Sequence, residues 1–258
     1  MAGLLPDYYS SLSPFRSIFA EGCPALMYHK LGPRPGGTKH KGLYVSGPLF
    51  SRQMGELASA GYRTATFAEA IGGMETRHRF VLTFDDGFSN VLANGLEAMS
   101  RSGFSAIQYL VADRLGQTND WETREGEVQE RLMDAAQVRD WLAAGHKIGA
   151  HTLTHPWLTR ISPADAHNEI RSSRRKLEDL FGVEVADFCY PYGDWNPAIG
   201  EAVEKAGYKT ACTTRRGVNT SATPPLELRR FMARYPSRHW RQWWIRFRLT
   251  MGSRHSSK

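Results

Sequence analysis

The sequence predicts an α/β fold, and three observations carry that expectation. Short apolar runs suited to strands alternate with helical patterns along the chain. Two of these runs end in clusters of acids and histidines, the arrangement of a site built at strand ends. The 258 residues, 41% of them hydrophobic, suffice to bury a full barrel core as one enzyme domain, and neither an internal repeat nor a long low-complexity segment interrupts them.

Strands are expected near 24–29, 63–66, 80–85, 105–112, 147–151, 186–191 and 208–213. The first, Ala25-Leu26-Met27-Tyr28, ends at His29. The third carries Phe80-Val81-Leu82 into Thr83-Phe84-Asp85-Asp86-Gly87. Neighbouring side chains of a regular strand face opposite sides, so Asp85 and Asp86 share one site only if the strand breaks, and Gly87 supplies the break. Two carboxylates held together repel unless a cation lies against them. A metal ion resolves the conflict by taking one acid as ligand and leaving the other ionised as a base. Lys147-Ile148-Gly149-Ala150 leads into His151-Thr152-Leu153-Thr154-His155, whose two imidazoles would share one face of a helical turn. Either motif alone is commonly a solvated turn or surface decoration. Both together, each at a strand end, supply a mononuclear metal hydrolase with coordination positions open to water and substrate.

With Met27-Tyr28-His29 near the start and Tyr190-Pro191-Tyr192-Gly193 late, the chain resembles the polysaccharide deacetylases with a NodB-homology domain, carbohydrate esterase family 4. The resemblance covers residues 24–234, leaving 1–23 as an N-terminal extension and 235–258 as a basic, aromatic C-terminal helix and tail. It implies a distorted (β/α) barrel with fewer than eight regular strands, and hydrolysis of N-acetyl groups from amino sugars of a polysaccharide, oligosaccharide or lipid-linked glycan precursor. It also implies Asp85 as general base and Asp86, His151 and His155 as ligands of one divalent ion. Zinc is the default for that ligand set, with cobalt, manganese or nickel as alternatives. A bacterial source is implied by the resemblance alone. Many members carry an arginine before the late Pro-Tyr pair and a Leu-x-His segment near the domain end, its histidine serving as acid. This chain has Cys189 and Leu228-Arg229-Arg230 there. Arginine does not shuttle protons at neutral pH, so His29 is the candidate acid, with a loop-bonding or site-positioning role as its alternative.

Asp113 to Asp134 reads as a polar loop over the active face, where exposed aromatics stack on sugar rings. Trp121, Trp157, Tyr192 and Trp195 are candidates, and Tyr192 and Trp195 are favoured because they adjoin the late motif. A backbone N–H near Tyr192 or Gly193 is the expected partner of the oxyanion. Arg215 is read as a contact to a sugar hydroxyl or a carrier phosphate, with a solvated basic turn as its alternative. Ser162-Pro163-Ala164-Asp165 opens a helix with Ala166, Ile170, Leu177 and Leu180 on one face and His167 toward solvent.

The net charge of +7 is concentrated after Leu228, which precedes nine Lys or Arg and no acid. Trp240, Trp243, Trp244 and Phe247 share a helical face beside Arg238, Arg241, Arg246 and Arg248, which suits contact with an anionic membrane or a final docked helix. No recognition motif accompanies the charge, so nucleic-acid binding is not expected. Nothing near Met1 reads as a secretory signal, and Cys23, Cys189 and Cys212 read as free thiols. The expected location is therefore cytoplasmic, with peripheral contact at the inner face of the membrane. Two other functions use the same residues: hydrolysis of a non-sugar amide such as a cyclic imide or ureide, and non-catalytic carbohydrate binding. The intact Asp85, Asp86, His151 and His155 argue against the second of these.

Overall fold

The computed structural model describes residues 5–73 and 75–234. The expected tail helix and its Trp240, Trp243 and Trp244 lie outside them. The strands are β1 (Cys23–Tyr28), β2 (Lys30–Leu31), β3 (Tyr44–Val45), β4 (Arg63–Thr64), β5 (Arg79–Phe84), β6 (Ile107–Leu110), β7 (Lys147–Ala150), β8 (Asp187–Cys189), β9 (Thr210–Cys212), β10 (Val218–Asn219) and β11 (Phe231–Met232). The helices are α1 (Arg16–Phe19), α2 (Gly47–Ser59), α3 (Phe67–Ile71), α4 (Asn90–Ser102), α5 (Ala135–Ala143), α6 (Pro163–Phe181) and α7 (Pro197–Lys205).

One sheet runs β10-β1-β5-β6-β7-β8-β9, with β11 also paired to β1 and β4 to β5. All of its pairings are parallel except β10 with β1. Parallel strands covered on both faces must be apolar throughout, and all six residues of β1 are buried. The segment after β10 closes the gap between the ends of the sheet. Leu228 bridges to Cys212 on β9, and three residues later β11 joins β1. The result is the expected distorted barrel, in which that irregular segment replaces the missing regular strands.

Each strand expected from the sequence is present, most of them shorter than expected; β2, β3, β10 and β11 are too short to leave a periodic signal. The helix at 163 opens as predicted, with Ser162 accepting from the Asp165 N–H. Ala166, Ile170 and Leu177 are buried along it, but Leu180 is 40% exposed, while the next residue, Phe181, packs against the core. Residues before Cys23 are integral to the core. Tyr9, Leu12, Phe15 and Phe19 are buried, and Tyr9 and Arg234 exchange backbone bonds with the β11 segment (Tyr9 N to Met232 O, Arg234 N to Tyr9 O, both 2.9 Å). Each buried aromatic contributes about 1.5–3 kcal/mol. No helix among the described residues is long and apolar enough to cross a membrane.

Candidate active site

The chain bends sharply where β5 and β7 end. Asp86 adopts φ +74° and Gly87 φ +87°, so Asp85 and Asp86 leave the strand alternation and open onto one cavity. The break thus begins at Asp86 itself. His151 and His155 are joined by a loop and not by the expected helical turn; Thr152 (φ +68°) and His155 (φ +66°) are both left-handed. Such backbone persists only where its surroundings over-determine it. Here Thr152 Oγ1 accepts from His155 N at 2.9 Å, and Glu169 of α6 accepts from Leu153 N at 2.8 Å and Thr154 N at 2.9 Å.

Asp86, His151 and His155 converge on one point. His151 Nε2 and His155 Nε2 each lie 3.3 Å from Asp86 Oδ1, and all three side chains are almost wholly buried. That spacing is longer than a charge-assisted hydrogen bond, which runs about 2.7–2.9 Å. It matches the roughly 3.3 Å that separates ligands placed ~2.0–2.1 Å from a tetrahedral ion. His151 Nδ1 lies 2.7 Å from the Cys189 carbonyl, which fixes the proton there and leaves Nε2 with its lone pair for a ligand bond. The donor set therefore fits a divalent ion. Burial pushes the Asp86 carboxyl up, but the two imidazoles overcome it and hold Asp86 well below the usual carboxylate range. His155 is held low by burial.

Asp85 belongs to a different network. Arg230 donates to both of its oxygens, Nη1 to Oδ1 at 2.7 Å and Nη2 to Oδ2 at 2.8 Å, and the guanidinium is fully buried. The same guanidinium donates to Thr213 O (3.0 Å) and Thr83 Oγ1 (3.1 Å), and Cys189 Sγ lies 3.2 Å from Nη2. Burial would raise the Asp85 carboxyl; the charges of Arg230 and then His29 outweigh it and hold the group below its ordinary range. Asp85 is thus kept ionised without being a neighbour's ligand. His29, one residue past β1, brings Nε2 to 3.8 Å from Asp85 Oδ2, and burial holds its imidazole below the ordinary histidine value.

These groups line a cavity of about 520 Å³, within the usual range for a small-molecule site. Tyr192 is on its rim, stacked on Trp157 with ring centres 4.0 Å apart and planes 3° from parallel. Arg160 covers the far face of that pair, 4.1 Å from the Trp157 ring. The polar loop does lie over the site: Trp121 stacks on His155 at 4.6 Å, and Glu122 and Glu125 line the cavity. Three of the expected substrate contacts, Arg215, Trp195 and Gly193, do not line this cavity. Arg215 is tied to Glu227 at 2.7 Å and stacks on Trp195 at 4.9 Å. Gly193 spends its N–H on Tyr190 O, and its φ of +71° together with a 2.2 Å approach of Thr214 Oγ1 to any Cβ explains the glycine as a packing requirement. Arg230 reads in the sequence only as a residue unable to serve as acid, and its pairing with Asp85 is not legible there. No local pattern announces a partner 145 positions away.

A barrel with a buried Asp-His-His cluster, a separate arginine-bound aspartate and an aromatic-rimmed cavity is the frame of a hydrolase. The polysaccharide deacetylase family model matches residues 73–211, more than half of the chain, and the chain belongs to that family. It is 26% identical over 200 residues to YxkH of Bacillus subtilis, whose name places it among polysaccharide deacetylases, and 27% identical over 130 residues to the peptidoglycan-N-acetylglucosamine deacetylase PgdA of Listeria monocytogenes. Those matches cover 75% and 50% of this chain but 65% and 24% of the relatives, less than two thirds of either. Among solved structures, a polysaccharide deacetylase of Bacillus cereus superposes with a TM-score of 0.71 at 26% identity, covering 84% of this chain and 66% of that one. The Streptococcus pyogenes deacetylase PplD, determined with acetate, gives 0.72 at 21% identity, covering 83% and 93%; this likeness concerns the fold.

Proposed function

We propose that this protein is a metal-dependent hydrolase that removes N-acetyl groups from the amino sugars of a polysaccharide, oligosaccharide or lipid-linked glycan precursor. The observation that carries the reading is the division of labour between adjacent aspartates: Asp86 stands 3.3 Å from both imidazoles, while Asp85 is held by Arg230. Asp86, His151 and His155 would hold the ion. Zinc suits two imidazoles and a carboxylate, and cobalt, manganese or nickel fit the same set. When bound, the ion supplies the Lewis acidity that lowers the pKa of water and polarises an amide carbonyl.

The protein's own groups perform the proton transfers. Asp85, ionised at neutral pH, accepts a proton from water as its oxygen adds to the carbonyl carbon. The Tyr192 backbone N–H, at the cavity rim, is the candidate donor to the tetrahedral oxyanion, since that of Gly193 is committed to Tyr190. Collapse breaks the C–N bond, and the departing nitrogen requires a proton. His29 is neutral at rest, so the proton it delivers is the one Asp85 has taken up, 3.8 Å away. The products are acetate and a free amine. The Trp157–Tyr192 rim offers an apolar surface of the kind sugar rings stack on.

Acetate release from N-acetylglucosamine oligomers and lipid-linked saccharides, by metal-stripped enzyme and after zinc or cobalt is restored, tests this reading. Metal-dependent acetate is the expected result. Silence on every glycan with the ion demonstrably bound would transfer the assignment to a non-sugar amide.

A further inference from the structure

Arg234 is a cation in the cavity wall with no counter-ion among the described residues. It stands two residues past the end of β11 and shares the cavity with Asp85, Asp86, His151 and His155. Its guanidinium is fixed on two sides. The Tyr8 ring lies 4.2 Å away, and Gly42 is so close that a Cβ there would fall 1.8 Å from Nη2. Tyr8 and Gly42 line the same cavity. Other arginines near the barrel mouth are matched: Arg230 with Asp85, Arg215 with Glu227 and Arg216 with Asp7. No carboxylate of the described residues comes within 4.0 Å of Arg234, and its only hydrogen bond among them is the backbone bond to Tyr9.

A planar guanidinium held on an aromatic face keeps its N–H edge free, and that edge is shaped for two oxygens of a carboxylate or phosphate. The sequence makes two separate investments in this placement: a glycine where any side chain would displace the group, and an N-terminal segment laid along β11 that carries Tyr8 to the rim. We infer that Arg234 selects a glycan bearing an anionic oxyacid group, carboxylate or phosphate, on or beside the N-acetyl sugar being processed. The inference rests on the deacetylase reading for the identity of the scissile group, and it narrows the acceptor to an acidic saccharide.

The experiment is calorimetric titration of the metal-loaded full chain with three N-acetylglucosamine trimers: neutral, carrying one carboxylate, and carrying one phosphate monoester. Acetate release from each of the three trimers is measured in parallel. One or both anionic trimers should bind about ten- to a hundredfold more tightly than the neutral one, the gain of a charge-assisted bidentate contact. That preference should fall as ionic strength rises. Whichever anionic trimer binds more tightly identifies the source of the charge. In Arg234→Gln the ratio of anionic to neutral affinity should collapse, and Arg234→Lys should keep part of it, because lysine retains the charge without the fork. Equal affinity for all three trimers, a uniform loss in Arg234→Gln, or no binding of any trimer overturns the inference. The wild-type comparison needs no variant to fold. Acetate without charge preference would sink this inference alone; charge preference without acetate from any trimer would sink the deacetylase reading alone.

Discussion

Replacing Arg230 with glutamine removes a guanidinium that makes two bonds of 2.7 and 2.8 Å to Asp85 in a fully buried setting. Breaking one partner of a buried pair costs about 3–5 kcal/mol, because the remaining charge is stranded. For a chain of this size, each kcal/mol lowers Tm by roughly 2–4 °C, so the loss is on the order of 6–20 °C. The pH dependence gives the sharper test. In the wild type the folded Asp85 titrates below its unfolded value, so its stabilising contribution is present above the unfolded pKa and disappears as pH falls through the folded one. Without Arg230, burial, the largest influence on that carboxyl, dominates and drives its pKa upward. The stability difference between wild type and variant should therefore be greatest near neutrality and shrink in acid. The acid limb of the activity profile should also move toward neutral pH. Urea unfolding of both metal-loaded proteins across the acid range measures the first, and initial rates of acetate release measure the second. A variant within about 1.5 kcal/mol of wild type at neutral pH, the low end of what one charged hydrogen bond contributes, would refute the assignment of Arg230 as the group that keeps Asp85 ionised.

Asp85→Asn is expected to lower kcat by about 10²–10⁴, the range of a lost general base, with metal content by atomic spectroscopy unchanged; loss of the ion would mean that base and ligand had been exchanged. His155→Ala should lose the ion itself, and retention of stoichiometric metal would reject the Asp86-His151-His155 set. Cys189→Arg alone should destabilise, because the Arg230 guanidinium lies 3.2 Å from Sγ; combined with Arg230→His it should cost less than the two single changes together, and simple additivity in urea unfolding would show that the positions do not share one space. Removing the residues after Tyr235 should release the protein from anionic liposomes in a flotation assay, whereas unchanged flotation would reject the tail as the anchor.

What the sequence made legible was whatever is encoded within a few residues. The Asp-Asp-Gly and His-x-x-x-His segments were readable because each follows an apolar strand run and their side chains act within one turn of chain. The loop geometry of 151–155 was not readable, since spacing alone does not separate a helical turn from a loop with Thr152 and His155 at positive φ. Adjacency to the late motif favours Trp195 over Trp157, whereas the fold stacks Trp157 on Tyr192 and sets Trp195 against Arg215. The contribution of the first residues to the core was equally hidden. Tyr9 gains its place by pairing with β11, a strand of two residues more than two hundred positions later.

The two departures from the family pattern, Cys189 and Arg230, are one change in space. Their Cα positions are 41 residues apart in sequence, yet Sγ and Nη2 approach to 3.2 Å and both reach Asp85 Oδ2, at 3.6 and 2.8 Å. A long cationic side chain projecting from 189 would enter the volume that the Arg230 guanidinium fills, and two guanidiniums beside one carboxylate would leave a positive charge stranded. A small thiol at 189 therefore permits the arginine to arrive from the closing segment after β9. That substitution conserves the charge beside the base while surrendering the position from which a late histidine would serve as acid. His29, one residue past β1 and 3.8 Å from the same carboxylate, is the titratable group to which the proposed function assigns the proton. The absence of the usual acid is then compatible with the proposed catalysis, because a counter-charge and a proton carrier both converge on the base, Asp85, from other segments of the barrel.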